Sequence, residues 1–149
     1  MTRILFLVLA MIALEARAEQ PPARSAEEAA IRATVLDYVQ GWYDGDAARM
    51  ERALHPELAK RIVRTDATSG KSRLDQMSAM TLVQYTRSGG GKKTPAAERQ
   101  QDVQVLDVFE NAASARATMS GWVDYLHLAK VDGQWKIINV LWELKPGRK

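Results

Sequence analysis

Asp124 is the main candidate for acid–base chemistry in this sequence. It lies in an alternating strand pattern with Leu126 and Leu128, on a face that we expect helices to cover. A carboxyl group held among apolar residues can act as a general base. The position is also typical of a partly exposed strand aspartate, or of a structural one that is satisfied by Asn139 or by a helix terminus. Spacing alone places no second acid or tyrosine beside Asp124, which favours the non-catalytic interpretation.

Aromatic side chains and one histidine are the other candidate binding groups. Tyr38, Trp42 and Trp135 can stack on a planar ligand such as a pteridine or flavin, although aromatics at helical spacing also form ordinary cores. His55 can line a pocket mouth as a proton acceptor, or interact with the dipole of a helix end. The predicted ligand-binding residues are Tyr38, Trp42, His55, Trp122, Asp124, Trp135 and Asn139.

Composition excludes several kinds of site. The 149 residues include no cysteine and two histidines, so disulfides, thiol catalysis and cysteine-bound zinc are excluded, and an imidazole-rich metal site is not expected. The net charge is +3, but Lys and Arg are interleaved with Asp and Glu and form no basic stripe for nucleic acid. Nucleophilic-serine, phosphate-loop and dinucleotide motifs are missing. We therefore expect no metal, no cofactor and no nucleic-acid partner.

The first 18 residues have the pattern of an export signal. Arg3 gives a positive start, residues 4–14 form an apolar run, and Ala16-Arg17-Ala18 fits the motif that signal peptidase cleaves. The run is too short to span a ~30 Å hydrocarbon core, and an uncleaved anchor or a buried helix is the alternative. No cysteine follows it for lipid attachment. We expect cleavage near Ala18 and a periplasmic or secreted protein without a permanent membrane anchor.

The first predicted helix follows a flexible leader and helix cap over residues 19–29, with a capping box that begins at Ser25. Gly45 ends this helix. Its buried face carries four residues at helical spacing: Ile31, Val35, Tyr38 and Trp42.

Two more helices and a short strand are predicted before residue 100. Asp46 caps a second helix, which a proline stops at His55. A short strand is favoured from about Arg61, and Ser78 caps a third helix. Residues 89–100 predict a mobile surface loop.

From Asp102 the apolar pattern changes to a period of two, which predicts antiparallel strands with the helices on one face, an α+β protein. A tight turn at Asp132-Gly133 sets a register in which Asp124 opposes Leu141. The helix-covered face then carries Trp122, Asp124, Leu126, Leu128, Trp135, Ile137, Asn139 and Leu141. The opposite face carries Val123, Tyr125, His127, Ala129, Ile138, Val140 and Trp142. Because both faces are largely apolar, we expect a second copy to cover one of them in a homodimer.

An earlier hairpin is predicted to turn at Asn111-Ala112 and to pair Asp107 with Arg116 in an exposed ion pair. Its other face carries three alternating alanines, which leave space for a close helix or for a cavity: Ala113, Ala115 and Ala117.

Three groups of residues make the chain resemble the nuclear transport factor 2-like superfamily and, within it, the putative lumazine-binding family. They are Gly45-Asp46 after an aromatic pair, His55-Pro56, and Asp124-Tyr125-Leu126 followed by Asp132-Gly133-x-Trp135-x-Ile137-x-Asn139. The resemblance covers roughly residues 30–144. It implies a cone-shaped fold, with a curved sheet around a long helix and a pocket, and dimerisation through the sheet. Steroid isomerases related to this family place their base at an acid immediately before a proline in the first strand; this chain lacks that pattern, and His55-Pro56 and Glu57 lie nearby but do not reproduce it.

The sequence thus predicts an exported domain over residues 30–145 that binds an unidentified small apolar or planar molecule, with no defined catalytic activity. One alternative is a cofactor-free isomerase, dehydratase or cyclase with Asp124 as its base, which a deep pocket beside a buried Asp124 would favour. Another is a periplasmic dimer that only bridges other proteins, which a closed pocket filled by Trp42 and Met119 would favour.

Overall fold

The computed structural model describes residues 22–147, and the predicted signal peptide with its cleavage site at Ala18 lies outside the described residues. Three helices pack on one six-stranded sheet, which confirms the predicted α+β class. The helices are α1 (Pro22–Asp44), α2 (Ala47–Ala53) and α3 (Ala79–Arg87). The strands are β1 (Leu54–Thr65), β2 (Ser72–Ser78), β3 (Gln101–Phe109), β4 (Ala112–Met119), β5 (Trp122–Val131) and β6 (Gln134–Leu144).

The sheet has the strand order β2-β1-β6-β5-β4-β3 and is mixed, because β1 pairs in parallel with β6. The sequence predicts a purely antiparallel meander and a short strand from about Arg61, but β1 already begins at Leu54. The physical reason is the residue before Pro56: a residue in that position favours extended backbone, so His55 continues a strand instead of ending a helix. β2 is a strand that the sequence does not predict.

Helix α1 begins at Pro22, upstream of the predicted cap at Ser25, so much of the expected leader is helical. Proline suits the first helical turn because it has no N–H to satisfy there. Glu27 accepts hydrogen bonds from Lys130 Nζ at 2.6 Å and from Trp135 Nε1 at 2.7 Å. These bonds fasten the first turns of α1 to the last hairpin. The predicted caps at Asp46 and Ser78 are confirmed.

A β-bulge at Ile138 changes which residues of β6 face the helices. The turn at Asp132-Gly133 is as predicted, and Leu128 pairs with Ile137. His127 then pairs with Asn139, so Ile138 is the extra residue and the alternation beyond it is inverted. Asp124 therefore opposes Trp142 instead of Leu141.

The inversion corrects the predicted faces of the last strand. Val140 and Trp142 lie on the inner face, whereas Asn139 and Leu141 lie on the outer face. A bulge is hard to predict here, since apolar residues occur on both faces of β6 and the sequence alternation looks continuous through it.

The earlier hairpin also differs from its predicted register. Its turn is at Glu110-Asn111, where Glu110 has a φ of 49°, and a second irregularity lies between Val105 and Asp107. Asp107 therefore pairs with Ser114, and the predicted ion pair between Asp107 and Arg116 is wrong. β4 and β5 form a further hairpin around Ser120-Gly121, where the sequence predicts one continuous stretch.

The inner face of β4 admits α1 at close range because it is built from alanines. Ala113, Ala115 and Ala117 are at most 7% exposed, and α1 packs over β3 and β4. The sequence left open whether a close helix or a cavity occupies the space beside these alanines, and the structure shows a close helix.

The segment over residues 89–100, predicted as a mobile loop, packs against α1 as two short 3₁₀ turns. Gly91 is buried there, and a Cβ atom at this position would lie 2.2 Å from the carbonyl oxygen of Trp42. The absence of a side chain at Gly91 therefore lets this segment close over Trp42.

Candidate functional site

A cavity of about 170 Å³ lies between the helices and the inner face of the sheet, where β1, β6 and β5 lie side by side. Its wall is almost entirely apolar and rich in aromatic rings, and Lys60 contributes the one charged side chain of the wall. The lining residues are Tyr38, Trp42, Met50, Lys60, Met77, Leu82, Tyr85, Trp122, Trp142 and Leu144.

Three tryptophans form a connected aromatic wall. The ring of Trp122 lies 5.9 Å from that of Trp42 and 6.1 Å from that of Trp142, with interplanar angles of 81° and 70°. Such edge-to-face contacts stabilise each ring in a fixed orientation. Tyr85, which is 54% exposed, places the mouth of the cavity at α3.

Lys60, Asp124 and Tyr38 form a buried polar cluster at the cavity. Lys60 Nζ donates to Asp124 Oδ1 at 2.5 Å and to the Tyr38 hydroxyl at 2.7 Å. The Tyr38 hydroxyl donates to Asp124 Oδ2 at 2.9 Å, and Trp122 Nε1 donates to the same oxygen at 3.0 Å. Both carboxylate oxygens of Asp124 are thus engaged, and Asp124 is 0% exposed and lies behind the cavity wall.

Strand registers bring this cluster together. Lys60 continues the buried positions of β1 between Leu58 and Ile62, and it is paired with Val140 of β6. Asp124 on β5 is paired with Trp142. The bulge at Ile138 turns Val140 and Trp142 of β6 to the inner face. Lys60 of β1 and Asp124 of β5 therefore lie on the same face as their β6 partners, on either side of that strand.

Burial changes the proton affinities of two members of the cluster. It raises the pKa of Tyr38 well above its usual value of 10.0, and the charge and hydrogen bond of Asp124 act in the same direction. Tyr38 is therefore a neutral hydrogen-bond donor at physiological pH. Burial also lowers the pKa of Lys60 from its usual 10.5, while the charge of Asp124 opposes this effect.

One donor in the cavity wall is not fully used. Lys60 has two oxygen partners for three N–H groups, and its nitrogen lies 4.9 Å from the centre of the Trp142 ring. The indole Nε1 of Trp142 has no hydrogen-bond partner within residues 22–147, but it is buried and is not presented to the cavity. Lys60 can therefore offer a hydrogen bond to a molecule in the cavity, which otherwise presents an apolar surface.

A family model described as Putative lumazine-binding matches residues 26–143, which include every residue that lines the cavity except Leu144. The chain belongs to this family. The match confirms the predicted membership.

Solved structures share the fold at low sequence identity. A nuclear transport factor 2-like protein of unknown function from Silicibacter pomeroyi is 18% identical, with a TM-score of 0.63 over 82% of this chain and 98% of its own. One from Methylobacillus flagellatus is 19% identical, with a TM-score of 0.62 over 85% and 96%. One from Shewanella baltica is 18% identical, with a TM-score of 0.59 over 87% and 100%. These likenesses confirm the nuclear transport factor 2-like fold. No curated protein sequence matches this chain.

In this member of the putative lumazine-binding family, the structure brings together four of the seven predicted binding residues. Tyr38, Trp42 and Trp122 line the cavity, and Asp124 lies directly behind them.

The other three predicted residues lie elsewhere. Trp135 contacts Glu27 at the start of α1, and the Nδ1 of His55 accepts a local hydrogen bond from the backbone of β1. Asn139, predicted on the inner face, lies on the outer face, where its Oδ1 accepts from Arg61 at 2.9 Å. The bulge at Ile138 accounts for this last difference.

Lys60 and Trp142 are the two functional candidates that the sequence reasoning missed. Trp142 was assigned to the opposite face because the bulge cannot be predicted from the alternation. Lys60 does carry a signal, since it interrupts an apolar alternation with Leu58 and Ile62. That signal becomes readable only when β1 is extended upstream to Leu54, whereas the predicted strand begins at about Arg61.

The described residues also bear on metal binding and on membrane insertion. Within residues 22–147, no cluster of three or more His, Asp or Glu side chains is arranged to hold a metal ion. No helix in the same part of the chain is long and apolar enough to cross a membrane.

Proposed function

We propose that this member of the putative lumazine-binding family binds a small planar molecule between its helices and sheet and does not catalyse a reaction on it. The open, tryptophan-walled cavity with a charged group in its wall carries this proposal. Binding sites are typically concave and apolar with a few polar groups that orient the ligand. A cavity of comparable size, about 150 Å³, is known to accept benzene in another protein, so one or two fused rings suit this one.

The surroundings of Asp124 favour binding over catalysis. A general base needs a lone pair within reach of the substrate proton. Both oxygens of Asp124 already accept hydrogen bonds, from Lys60, Tyr38 and Trp122, and the residue does not line the cavity. The isomerase, dehydratase or cyclase alternative has less support for this reason. Turnover of a bound ligand that stops in Asp124→Asn would establish it.

Calorimetric titration with lumazine, whose two fused rings suit the cavity, and with riboflavin, whose three fused rings and side chain exceed it, tests the binding function together with thermal unfolding. We expect lumazine to bind and to raise the midpoint of unfolding. Leu82→Phe places a larger side chain in the cavity and should weaken binding, whereas Leu74→Phe on the exposed side of β2 should not. Absence of binding by both compounds and by simpler bicyclic aromatics would contradict the proposal. Equal binding in Leu82→Phe would place the site elsewhere.

We also propose that the chain is exported and cleaved after Ala18, on the pattern of its first 18 residues. Expression of the full chain in a Gram-negative bacterium should give a periplasmic protein whose first residue is Glu19. Ala18→Lys should leave the precursor uncleaved, whereas Ala23→Lys should be processed normally. A mature protein that keeps Met1 would contradict cleavage.

We further propose a homodimer through the outer face of the sheet. Tyr125 and Leu141 are paired across β5 and β6 and are 50% and 48% exposed, and Val63 is 44% exposed on β1 of the same face. Large exposed apolar areas of this kind mark interaction surfaces. Sedimentation equilibrium should give a dimer that Tyr125→Lys/Leu141→Lys converts to a monomer. Met80→Lys, on the helical side, serves as the control, and a monomeric parent protein would contradict the proposal.

A further inference from the structure

We propose that the ligand of this cavity is a neutral molecule that carries a carbonyl group, and that the carbonyl oxygen accepts a hydrogen bond from Lys60 Nζ. The inference rests on the proposed binding function and deepens it by naming the chemical class of the ligand.

The donor capacity of Lys60 is the first argument. A lysine ammonium has three N–H groups, and two of them are used by Asp124 and Tyr38. In the part of the chain that the structure describes, no oxygen or nitrogen accepts the third. Lys60 is 5% exposed and lines the cavity, so a ligand atom in the cavity is well placed to accept this bond.

The charge of the cluster decides between a neutral and an anionic acceptor. The carboxylate of Asp124 already balances the ammonium of Lys60. A carboxylate ligand would be desolvated beside a pair that has no net charge to offer, which is unfavourable. Arg64 lies 5.6 Å from the Trp142 ring, but it does not line the cavity and lies near Asp75. A neutral carbonyl oxygen therefore suits the site best.

Three probes with the same bicyclic skeleton separate these possibilities: indane, which has no acceptor, 1-indanone, which has a neutral carbonyl, and indane-1-carboxylate, which is anionic. Calorimetry with the mature protein should give the order 1-indanone tightest, then indane, then the carboxylate. We expect about a tenfold preference for 1-indanone over indane, the size of one hydrogen bond to a charged donor.

The variant that tests the donor is Lys60→Met/Asp124→Asn, which removes the ammonium without leaving a buried charge unpaired. There the preference should reverse to favour indane, because an unpaired carbonyl is penalised in an apolar cavity. Lys60→Gln/Asp124→Asn restores a neutral donor and should restore part of the preference. Lys71→Met, an exposed lysine in the loop between β1 and β2, should leave the order unchanged.

Infrared spectroscopy of bound 1-indanone tests the same bond on the unaltered protein, and so does not depend on whether the variants fold. The carbonyl stretch should move to lower frequency than in an apolar solvent. Equal binding of indane and 1-indanone, with no shift of the stretch, would overturn the inference and leave the binding function standing. Preference for the carboxylate would also overturn it. Failure of all three probes to bind would overturn the inference, and it would overturn the binding function as well only if lumazine and riboflavin also fail to bind.

Discussion

Lys60 and Asp124 form a buried ion pair across a strand that lies between them. Their side chains are 5% and 0% exposed, and the residues are 64 positions apart in the chain. Lys60 is on β1 and Asp124 on β5, while β6 separates these two strands in the sheet. The two side chains therefore meet over the inner face of β6, beside Trp142, and the ion pair ties three strands to the cavity wall.

Removing one partner of this pair should destabilise the protein strongly. Asp124→Ala leaves the ammonium of Lys60 buried without its counterion, and we expect the free energy of unfolding to fall by about 3–5 kcal/mol. Urea denaturation of the mature protein measures this.

A double variant separates the interaction from the loss of each side chain. Lys60→Met/Asp124→Leu should lose less free energy of unfolding than the sum of the two single variants, since no unpaired charge remains. Arg73→Met, which breaks an exposed pair with Asp75, is the control and should change the urea midpoint little. An Asp124→Ala protein as stable as this control would show that the buried pair is not formed.

Glu27 should make the attachment of α1 to the last hairpin sensitive to acid. Hydrogen bonds from Lys130 and Trp135 and the charge of Lys130 hold the pKa of Glu27 below its usual 4.5, although burial opposes them. Since the folded-state pKa is the lower one, the stabilising contribution is complete above about pH 4.5 and is lost as the pH falls through the folded-state pKa.

Thermal unfolding against pH tests this linkage. The difference in midpoint between the parent protein and Glu27→Gln should be greatest near neutral pH and should shrink toward pH 3. A constant difference between the parent and Glu27→Gln over this range would contradict the linkage.

Gly91→Ala should displace the segment that covers Trp42. The added Cβ would lie 2.2 Å from the Trp42 carbonyl oxygen and 2.6 Å from its Cδ1 atom, so the backbone must move. We expect a loss of about 1–3 kcal/mol in the free energy of unfolding, as for other overpacked sites, and weaker ligand binding because Trp42 lines the cavity. Gly121→Ala is the matched control, since a Cβ there meets nothing within 4 Å. Equal stability of the two variants would be inconsistent with the close packing at Gly91.

Local signals in the sequence predicted the three helices and the last hairpin turn, but not β2 or the start of β1. The spacing of Ile31, Val35 and Tyr38 correctly predicted the buried face of α1, because a helix face depends only on residues three or four apart. The caps at Asp46 and Ser78 and the turn at Asp132-Gly133 are equally local.

The candidate site was predicted only in part because it depends on long-range pairing. The local patterns around Tyr38, Trp42 and Trp122 were enough to predict these residues as candidate binding residues, and all three line the cavity. Lys60 could not be connected to Asp124, since their contact requires β1 to pair in parallel with β6, and no local pattern specifies that pairing. Placing Trp142 at the site required knowledge of the bulge at Ile138.

The bulge itself leads to a prediction about deletions in β6. Ile138 is the extra residue between the Leu128–Ile137 and His127–Asn139 pairs. Deleting Ile138 joins these two pairs into a regular ladder and keeps Val140 and Trp142 on the inner face, so the variant should fold and retain the cavity. Deleting Leu141 instead moves Trp142 to the outer face, and we expect loss of ligand binding and of much of the stability. Urea denaturation and calorimetric titration of the two deletion variants distinguish these outcomes. If the Ile138 deletion unfolds the protein while the Leu141 deletion is tolerated, the register of β6 must differ from the one described.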